Sequence, residues 1–347
     1  MEFLTEYGVF LAKAITVVIA IVFVIIVAAG AAVKGKKADN KEMIIEKLND
    51  KLDDTQRELE QFILDKESLK AQKKEQKKQQ KSEKSKHKSN EAEVKARVYV
   101  LDFQGDIKAS SVDTFRESVT AVLQVIDPEH DEVVVKLESA GGMVHSYGLA
   151  AAQMDRIRKR EIKLTACVDK VAASGGYMMA CVADKIIASP FAIMGSIGVV
   201  AQLPNFSKLL KKNDIDFEIL TAGEYKRTLT MFGENTDKGR EKFQSDLEDT
   251  HELFKTYVSE HRPGIDIDQV ANGDIWFGTR ALDVSLVDEL KTSDEYLVDA
   301  CGNADVFHVQ FKEKKSLADK FGLAVSAGFE NAVTKILSEL NVSKGIR

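Results

Sequence analysis

The middle of the chain alternates continuously apolar stretches with segments of helical periodicity, and this pattern limits the possible fold most. The stretch "RVYVLDFQG" (97–105) precedes a segment in which Phe115, Val119 and Val122 recur at helical spacing. The stretch "DEVVVKLES" (131–139) precedes a glycine pair and another helical segment. Strands that are apolar along their whole length need cover on both faces, which is typical of parallel sheets. We therefore predict an α/β fold whose functional groups lie beyond the carboxyl ends of the strands.

An uncharged apolar run, Ala14–Val33, comes before this pattern. Its twenty residues would form a helix of roughly 30 Å, about the thickness of the hydrocarbon core of a bilayer. The alternative is a cleaved signal peptide, because Ala29–Ala31 has the small residues of a cleavage site. An acidic start and a long run favour an uncleaved, single-pass anchor within residues 1–33. Lysines after the run favour a cytoplasmic location for the rest of the chain, but large domains can be translocated regardless of such charges, so the side stays open.

Residues 34–95 have the composition of a charged linker, helical or disordered. Near its start, heptad spacing with two polar interruptions favours a solvated helix or a short coiled coil: Ile45, Leu48, Leu52, Thr55, Leu59, Phe62, Lys66 and Leu69. Residues 70–88 contain nine lysines and two glutamates. This run is either a tether for membrane lipid or nucleic acid, or a self-repelling spacer, which its lack of aromatic residues favours. The whole chain has a formal net charge of −6, so no nucleic-acid-binding globular domain is expected.

Three cysteines are present, namely Cys167, Cys181 and Cys301. Their odd number and wide spacing do not form a disulfide framework. They are interpreted as reduced thiols that pack as small core residues.

Two glycine-containing loops follow predicted strands at the same edge of the sheet. Gly141 and Gly142 could form only a tight turn, or their amides could hold an oxyanion. Ser174, followed by Gly175, could cap the helix after it, or it could be a nucleophile. The second interpretation needs a base that takes the proton of the serine.

The residues alone do not identify this base. His145, the nearest histidine along the sequence, is most simply a structural residue, and the spacing of the others proposes no triad. A lysine can act as a base where burial lowers its pKa. Lys226 is one candidate, with a solvated surface lysine as the alternative.

Four motifs in this order resemble the signal peptide peptidase A family of membrane-bound serine peptidases, most closely its SohB branch. They are "LESAGG" (137–142), "VDKVAASGGYMMACVAD" (168–184), "IMGSIGVV" (193–200) and "TAGEYKRT" (221–228). The resemblance extends from the anchor to about residue 300. Several linked motifs are far more specific than any one of them.

The resemblance implies a role for each matching residue. Ser174 matches the nucleophile, and Lys226 matches the general base. Ser196 matches a serine that orients this lysine. The amides of Gly142 and Gly175 match the oxyanion hole. No metal ion or other cofactor is implied.

One residue departs from the family pattern. The family usually has proline where this chain has Ala140. Proline would restrict the unfolded chain, so its loss would cost a few tenths to about 1 kcal/mol of stability. No catalytic atom is removed, and the oxyanion hole is expected to survive.

The resemblance also implies a fold, an assembly and a location. The fold is of the ClpP/crotonase type, with repeated ββα units in a peptidase domain at 96–300, followed by a C-terminal extension at 301–347. Family members of double length place lysine and serine in different halves, so a homo-oligomer with active sites completed between subunits is expected. Substrates would be peptides or unfolded proteins, including remnant signal peptides, and the chain would be anchored in the bacterial inner membrane.

Two other functions are compatible with the same fold. A catalytically inactive membrane scaffold would need a broken catalytic pair, but both Ser174 and Lys226 are present. An acyl-CoA enzyme would use similar oxyanion amides together with acidic catalytic groups, for which Glu138 is the only hint.

Overall fold

The computed structural model describes residues 41–65 and 95–313, together with Ser68 and helical residues between 6 and 17. Most of the predicted anchor, the lysine-rich run 70–88 and the chain beyond residue 313 lie outside the described residues. Among the described residues, no helix is both long and apolar enough to cross a membrane. The chain divides into two compact units, of which the unit at 43–311 contains most of the sheet and the candidate site.

The described residues form one mixed sheet of ten strands. The strands are β1 Lys41–Lys47, β2 Arg97–Gly105, β3 Glu132–Ser139, β4 Lys163–Val168, β5 Val171–Ala173, β6 Lys185–Ala188, β7 Ile193–Gly195, β8 Ile275–Phe277, β9 Glu289–Leu290 and β10 Asp305–Glu313. Their main order is β1-β10-β2-β3-β4-β6-β9, and β5, β7 and β8 continue from the end of β3. The pairs from β10 to β9 are parallel, as are β3–β5 and β5–β7, whereas β7 and β8 are antiparallel.

Nine helices are defined in residues 41–313 of the described chain. They are α1 Leu48–Ile63, α2 Val112–Val122, α3 Val144–Arg158, α4 Gly175–Ala180, α5 Ser207–Lys212, α6 Asp237–His261, α7 Ile267–Val270, α8 Gly278–Asp283 and α9 Ser293–Asn303. The order β4-β5-α4 is one ββα unit.

The central strand β3 is buried on both faces, as its apolar sequence predicts. Val133, Val135 and Leu137 belong to the larger core cluster, which the buried sides of α2, α3 and α4 complete. Val134 points to the other face and belongs to a smaller cluster with Leu297 of α9. The prediction of an α/β fold with a largely parallel, doubly covered sheet is therefore confirmed.

Residues of the predicted linker form two regular elements. The heptad pattern predicts a helix from Ile45, but Ile45 lies in β1 and the helix begins at Leu48. The Asn49 side chain explains this boundary, because it donates to the carbonyl oxygens of Cys301 and Ala304 and accepts from the Val306 amide. This side chain fixes the start of α1 to the end of α9, so the chain before it can run along β10.

The cysteines carry no disulfide in the described residues. Cys167 and Cys181 are buried and Cys301 is half-buried. The first two are core residues, as predicted.

Candidate active site

Ser174 lies in a strained turn between β5 and α4. Its φ of 51° and ψ of −119° are costly for a residue with a side chain, and such conformations concentrate at functional sites. The turn is held by the Ser174 amide, which donates to the Gly195 carbonyl oxygen at 2.8 Å. The hydroxyl makes no capping hydrogen bond to α4 within the described chain, so capping does not explain the serine.

The glycine pair after β3 packs directly against this turn. A Cβ added to Gly141 would lie 2.8 Å from the Ser174 Cβ and 2.7 Å from the Gly175 nitrogen, and Gly141 has a φ of +89°. A Cβ added to Gly142 would lie 2.1 Å from the Ile107 carbonyl oxygen. Both positions therefore require glycine, since backbone atoms occupy the space that a side chain would need.

A small cavity of about 20 Å³, room for about one water molecule, brings these groups together. It is lined by Gly142, Val144, Ser174, Gly175, Met178, Gly198, Val199, Thr250 and Phe254. The predicted nucleophile and the two residues of the predicted oxyanion hole thus line one cavity. Gly175 is the first residue of α4, where a backbone amide has no acceptor within the helix and is available to a ligand.

Sequence reasoning missed the contribution of α6 to this cavity. Thr250 and Phe254 are one helical turn apart and reach the cavity from a helix far along the chain. The periodicity of α6 predicts a helix but not the element against which it packs, so no local signal identifies these two residues.

Ser196 follows β7 at the position that corresponds to Ser174 after the neighbouring strand β5. In the parallel pair β5–β7, Ala173 is the partner of Gly195, so the two serines follow paired residues. Ser196 also has a positive φ, 50°, and its amide donates to the Asp274 carbonyl oxygen at 2.7 Å.

Lys226 is exposed in the loop between α5 and α6, and it is not among the residues that line the Ser174 cavity in the described chain. Its amide donates to the Gly223 carbonyl oxygen in a turn. The surrounding segment exposes many large apolar side chains: Val200, Leu203, Phe206, Leu209, Ile215, Phe217, Ile219, Leu220, Tyr225, Met231 and Phe232. An apolar surface of this extent is typical of an interaction surface.

The described histidines and Glu138, the other candidate catalytic residues, lie outside this cavity. His145 is exposed, and His251 contacts the Ile197 carbonyl oxygen at 3.2 Å. None of the five histidines that the structure describes lines the cavity. Both carboxylate oxygens of Glu138 bind the Lys170 ammonium at 3.1 Å. No cluster of metal-ligating side chains occurs among the residues described.

The buried Tyr147 side chain packs against Gly175, one of the residues that line the cavity. Burial raises the pKa of its phenol above the ordinary value, and the hydrogen bond with Ser139 offsets part of this rise. The neutral hydroxyl can therefore both donate and accept hydrogen bonds at ordinary pH.

The sequence matches two family descriptions, "Peptidase family S49 N-terminal" over residues 2–154 and "Peptidase family S49" over residues 156–306. A relative from Haemophilus influenzae named "Probable protease SohB" is 49% identical over 331 residues, which is 92% of each chain. Another of this name, from Buchnera aphidicola subsp. Schizaphis graminum, is 44% identical and covers 97% of this chain and 98% of its own. A solved 1510-N membrane-bound stomatin-specific protease aligns with a TM-score of 0.39 and 14% identity, over 68% of this chain and 100% of its own.

Proposed function

The chain belongs to peptidase family S49, and from this premise we propose that it is a membrane-anchored serine endopeptidase with a Ser174–Lys226 dyad. The observation that carries this proposal is the strained backbone turn at Ser174, together with the small cavity that Ser174 lines with Gly142 and Gly175. This arrangement supports a nucleophile with oxyanion donors beside it.

The reaction proceeds through an acyl-enzyme. Neutral Lys226 takes the proton of Ser174, and the serine Oγ attacks the carbonyl carbon of the scissile peptide bond. The amides of Gly142 and Gly175 donate to the oxyanion of the tetrahedral intermediate. Lys226 returns the proton to the leaving amine, and water then hydrolyses the acyl-enzyme. Ser196 orients the lysine.

Assembly of several copies of the chain brings Lys226 to Ser174. Lys226 is exposed and lies among apolar side chains that are also exposed, such as Leu220 at 93%. Packing of this segment against a neighbouring copy would bury the apolar side chains and bring Lys226 of one copy to Ser174 of another. The functional form is thus a homo-oligomer of the ClpP/crotonase type, with active sites completed between subunits.

The substrates are extended peptides and unfolded proteins, including remnant signal peptides left in the bacterial inner membrane. The surroundings of Ser174 support this class, because the apolar residues Val144, Met178, Val199 and Phe254 lie beside the proposed nucleophile. Residues 14–33 anchor the enzyme beside such substrates.

Cleavage of an unfolded protein by the purified full chain tests the dyad. Ser174→Ala and Lys226→Ala should each abolish cleavage, whereas Ser259→Ala on α6 and Lys159→Ala, an exposed residue just after α3, serve as matched controls and should retain it. Cleavage by Ser174→Ala at the wild-type rate would overturn the proposal.

Mixed oligomers test the shared site. Ser174→Ala and Lys226→Ala chains, unfolded and refolded together, should regain activity if the two residues of one site come from different copies. No recovery in oligomers shown to be mixed would place both residues of a site in one copy.

A further inference from the structure

We propose that Tyr147 is a positioning residue that holds both halves of the oxyanion hole in register. The proposal rests on the proposed function, since it concerns the same cavity. Tyr147 lies on α3 and is fully buried, with 0% of its surface exposed. It does not line the cavity itself, so it acts through the backbone that does.

A directed chain of hydrogen bonds connects the first half of the hole to Tyr147. The Tyr147 hydroxyl donates to the Asp106 carbonyl oxygen at 2.7 Å, since a carbonyl can only accept. The phenol has no second hydrogen, so the Ser139 hydroxyl donates to the Tyr147 oxygen at 2.5 Å. The Ser139 oxygen in turn accepts from the Gly141 amide at 3.0 Å. Because each group in the chain polarises the next, the turn before Gly142 is fixed by three linked bonds.

The other end of this hydrogen-bond chain, at Asp106, is also connected to the turn that contains Gly142. Ile107, the next residue, accepts a hydrogen bond from the Met143 amide at 2.8 Å. The Ile107 carbonyl oxygen is also the atom that a Cβ on Gly142 would meet. Tyr147 therefore holds the Gly142 peptide from both sides, through Ser139 and through the loop of Asp106.

Gly175, which supplies the second amide of the oxyanion hole, packs against the Tyr147 ring. A Cβ added to Gly175 would lie 2.3 Å from the Tyr147 Cγ, so the Gly175 backbone is in direct contact with the aromatic ring. Phe103 also packs edge-on against the Tyr147 ring, with centroids 6.3 Å apart. One rigid side chain thus sets the distance between the two amides that would hold the oxyanion.

Loss of the Tyr147 hydroxyl should weaken the transition state more than substrate binding. The Tyr147→Phe variant keeps the ring and breaks the hydrogen-bond chain. Removal of a direct oxyanion donor typically costs about 10²–10³ in kcat, so a displaced donor should cost about tenfold. We expect kcat to fall about tenfold with KM within about twofold of wild type. A peptide boronic acid, whose tetrahedral adduct on Ser174 places an oxygen in the hole, should bind about tenfold more weakly.

Tyr296→Phe is a matched control at the opposite end of β3. Tyr296 donates to Glu132 at 2.6 Å, and Glu132 is the first residue of the strand that ends at Ser139, roughly 23 Å away. This variant loses a partly buried tyrosine hydrogen bond and should keep both wild-type kcat and boronate affinity. An equal fall in both variants would mean general destabilisation and would overturn the proposal.

The remaining outcomes separate this inference from the proposed function. Wild-type kcat in Tyr147→Phe, or a fall in kcat without weaker boronate binding, would refute the positioning role. If Tyr147→Phe does not fold, Ser139→Ala breaks the same hydrogen-bond chain and should show the same fall in kcat with little change in KM. Wild-type kcat in Ser139→Ala would then refute the positioning role of Tyr147. Full activity of Ser174→Ala would instead refute the proposed function.

Discussion

The packing of Gly175 against Tyr147 predicts a large loss of stability in the Gly175→Ala variant. The new Cβ would lie 2.3, 2.7 and 2.8 Å from three atoms of the Tyr147 side chain. Normal contacts between carbon atoms are about 3.5–4.0 Å, so the ring would have to move by more than about 1 Å. The ring cannot move freely, because its hydroxyl is bonded to Asp106 and Ser139 and the ring also packs against Phe103.

The magnitude follows from these contacts. Overpacking typically costs about 1–3 kcal/mol, and weakening of two buried hydrogen bonds adds about 1 kcal/mol each. The free energy of unfolding should therefore fall by about 3–5 kcal/mol, which corresponds to a melting temperature lower by about 6–20 °C for a domain of this size.

Gly148→Ala provides a control of opposite sign. Gly148 is the next residue along α3, and a Cβ there would meet no atom within 4 Å. Alanine favours a helix over glycine, so this variant should be more stable by about 0.4–1 kcal/mol. Thermal and denaturant unfolding of the three proteins measures both effects. A Gly175→Ala variant as stable as wild type would refute the described packing beneath the cavity.

Two further predictions concern ionisation and thiol reactivity. Burial raises the pKa of Asp288, but the hydrogen bonds from Arg262 and the Ile186 amide, together with the nearby positive charges, outweigh burial and leave the pKa below the ordinary value. The stabilisation is therefore present above about pH 4 and lost as pH falls below it. Acid unfolding of Asp288→Asn should depend less steeply on pH than that of wild type, and equal slopes would contradict this. Burial also raises the pKa of the Cys167 thiol to about 12, so a thiol reagent at pH 8 should modify half-buried Cys301 first, as read by mass spectrometry of peptides. Modification of Cys167 before Cys301 would contradict the burial.

Much of the fold follows from local sequence patterns. The unbroken apolar run of β3 requires cover on both faces, and its register with β2 and β4 places the carboxyl ends of three strands together. Gly141 and Gly142 follow one of these ends, and the strained Ser174 turn follows β5, which continues from β3. The gathering of these loops is therefore a consequence of parallel topology.

Other features depend on tertiary contacts that no local pattern contains. Ile45 fits a heptad, but β10 offers a backbone partner and Asn49 fixes the start of the helix, so Ile45 joins a strand. Thr250 and Phe254 reach the cavity only because α6 packs across it. The distance from Lys226 to Ser174 depends on assembly in the proposed function, and assembly is not encoded in the periodicity of either segment.

Labelling with a fluorophosphonate tests the central claim most directly, because this reagent forms a covalent bond with an activated serine. The full chain and its Ser174→Ala and Lys226→Ala variants would be treated under identical conditions, and the modified peptide would be identified by mass spectrometry. The dyad predicts modification at Ser174, no modification at that peptide in Ser174→Ala, and labelling slower by about 10² or more in Lys226→Ala, since a general base typically contributes 10²–10⁴. Modification of another serine, together with unchanged cleavage by Ser174→Ala, would contradict the account.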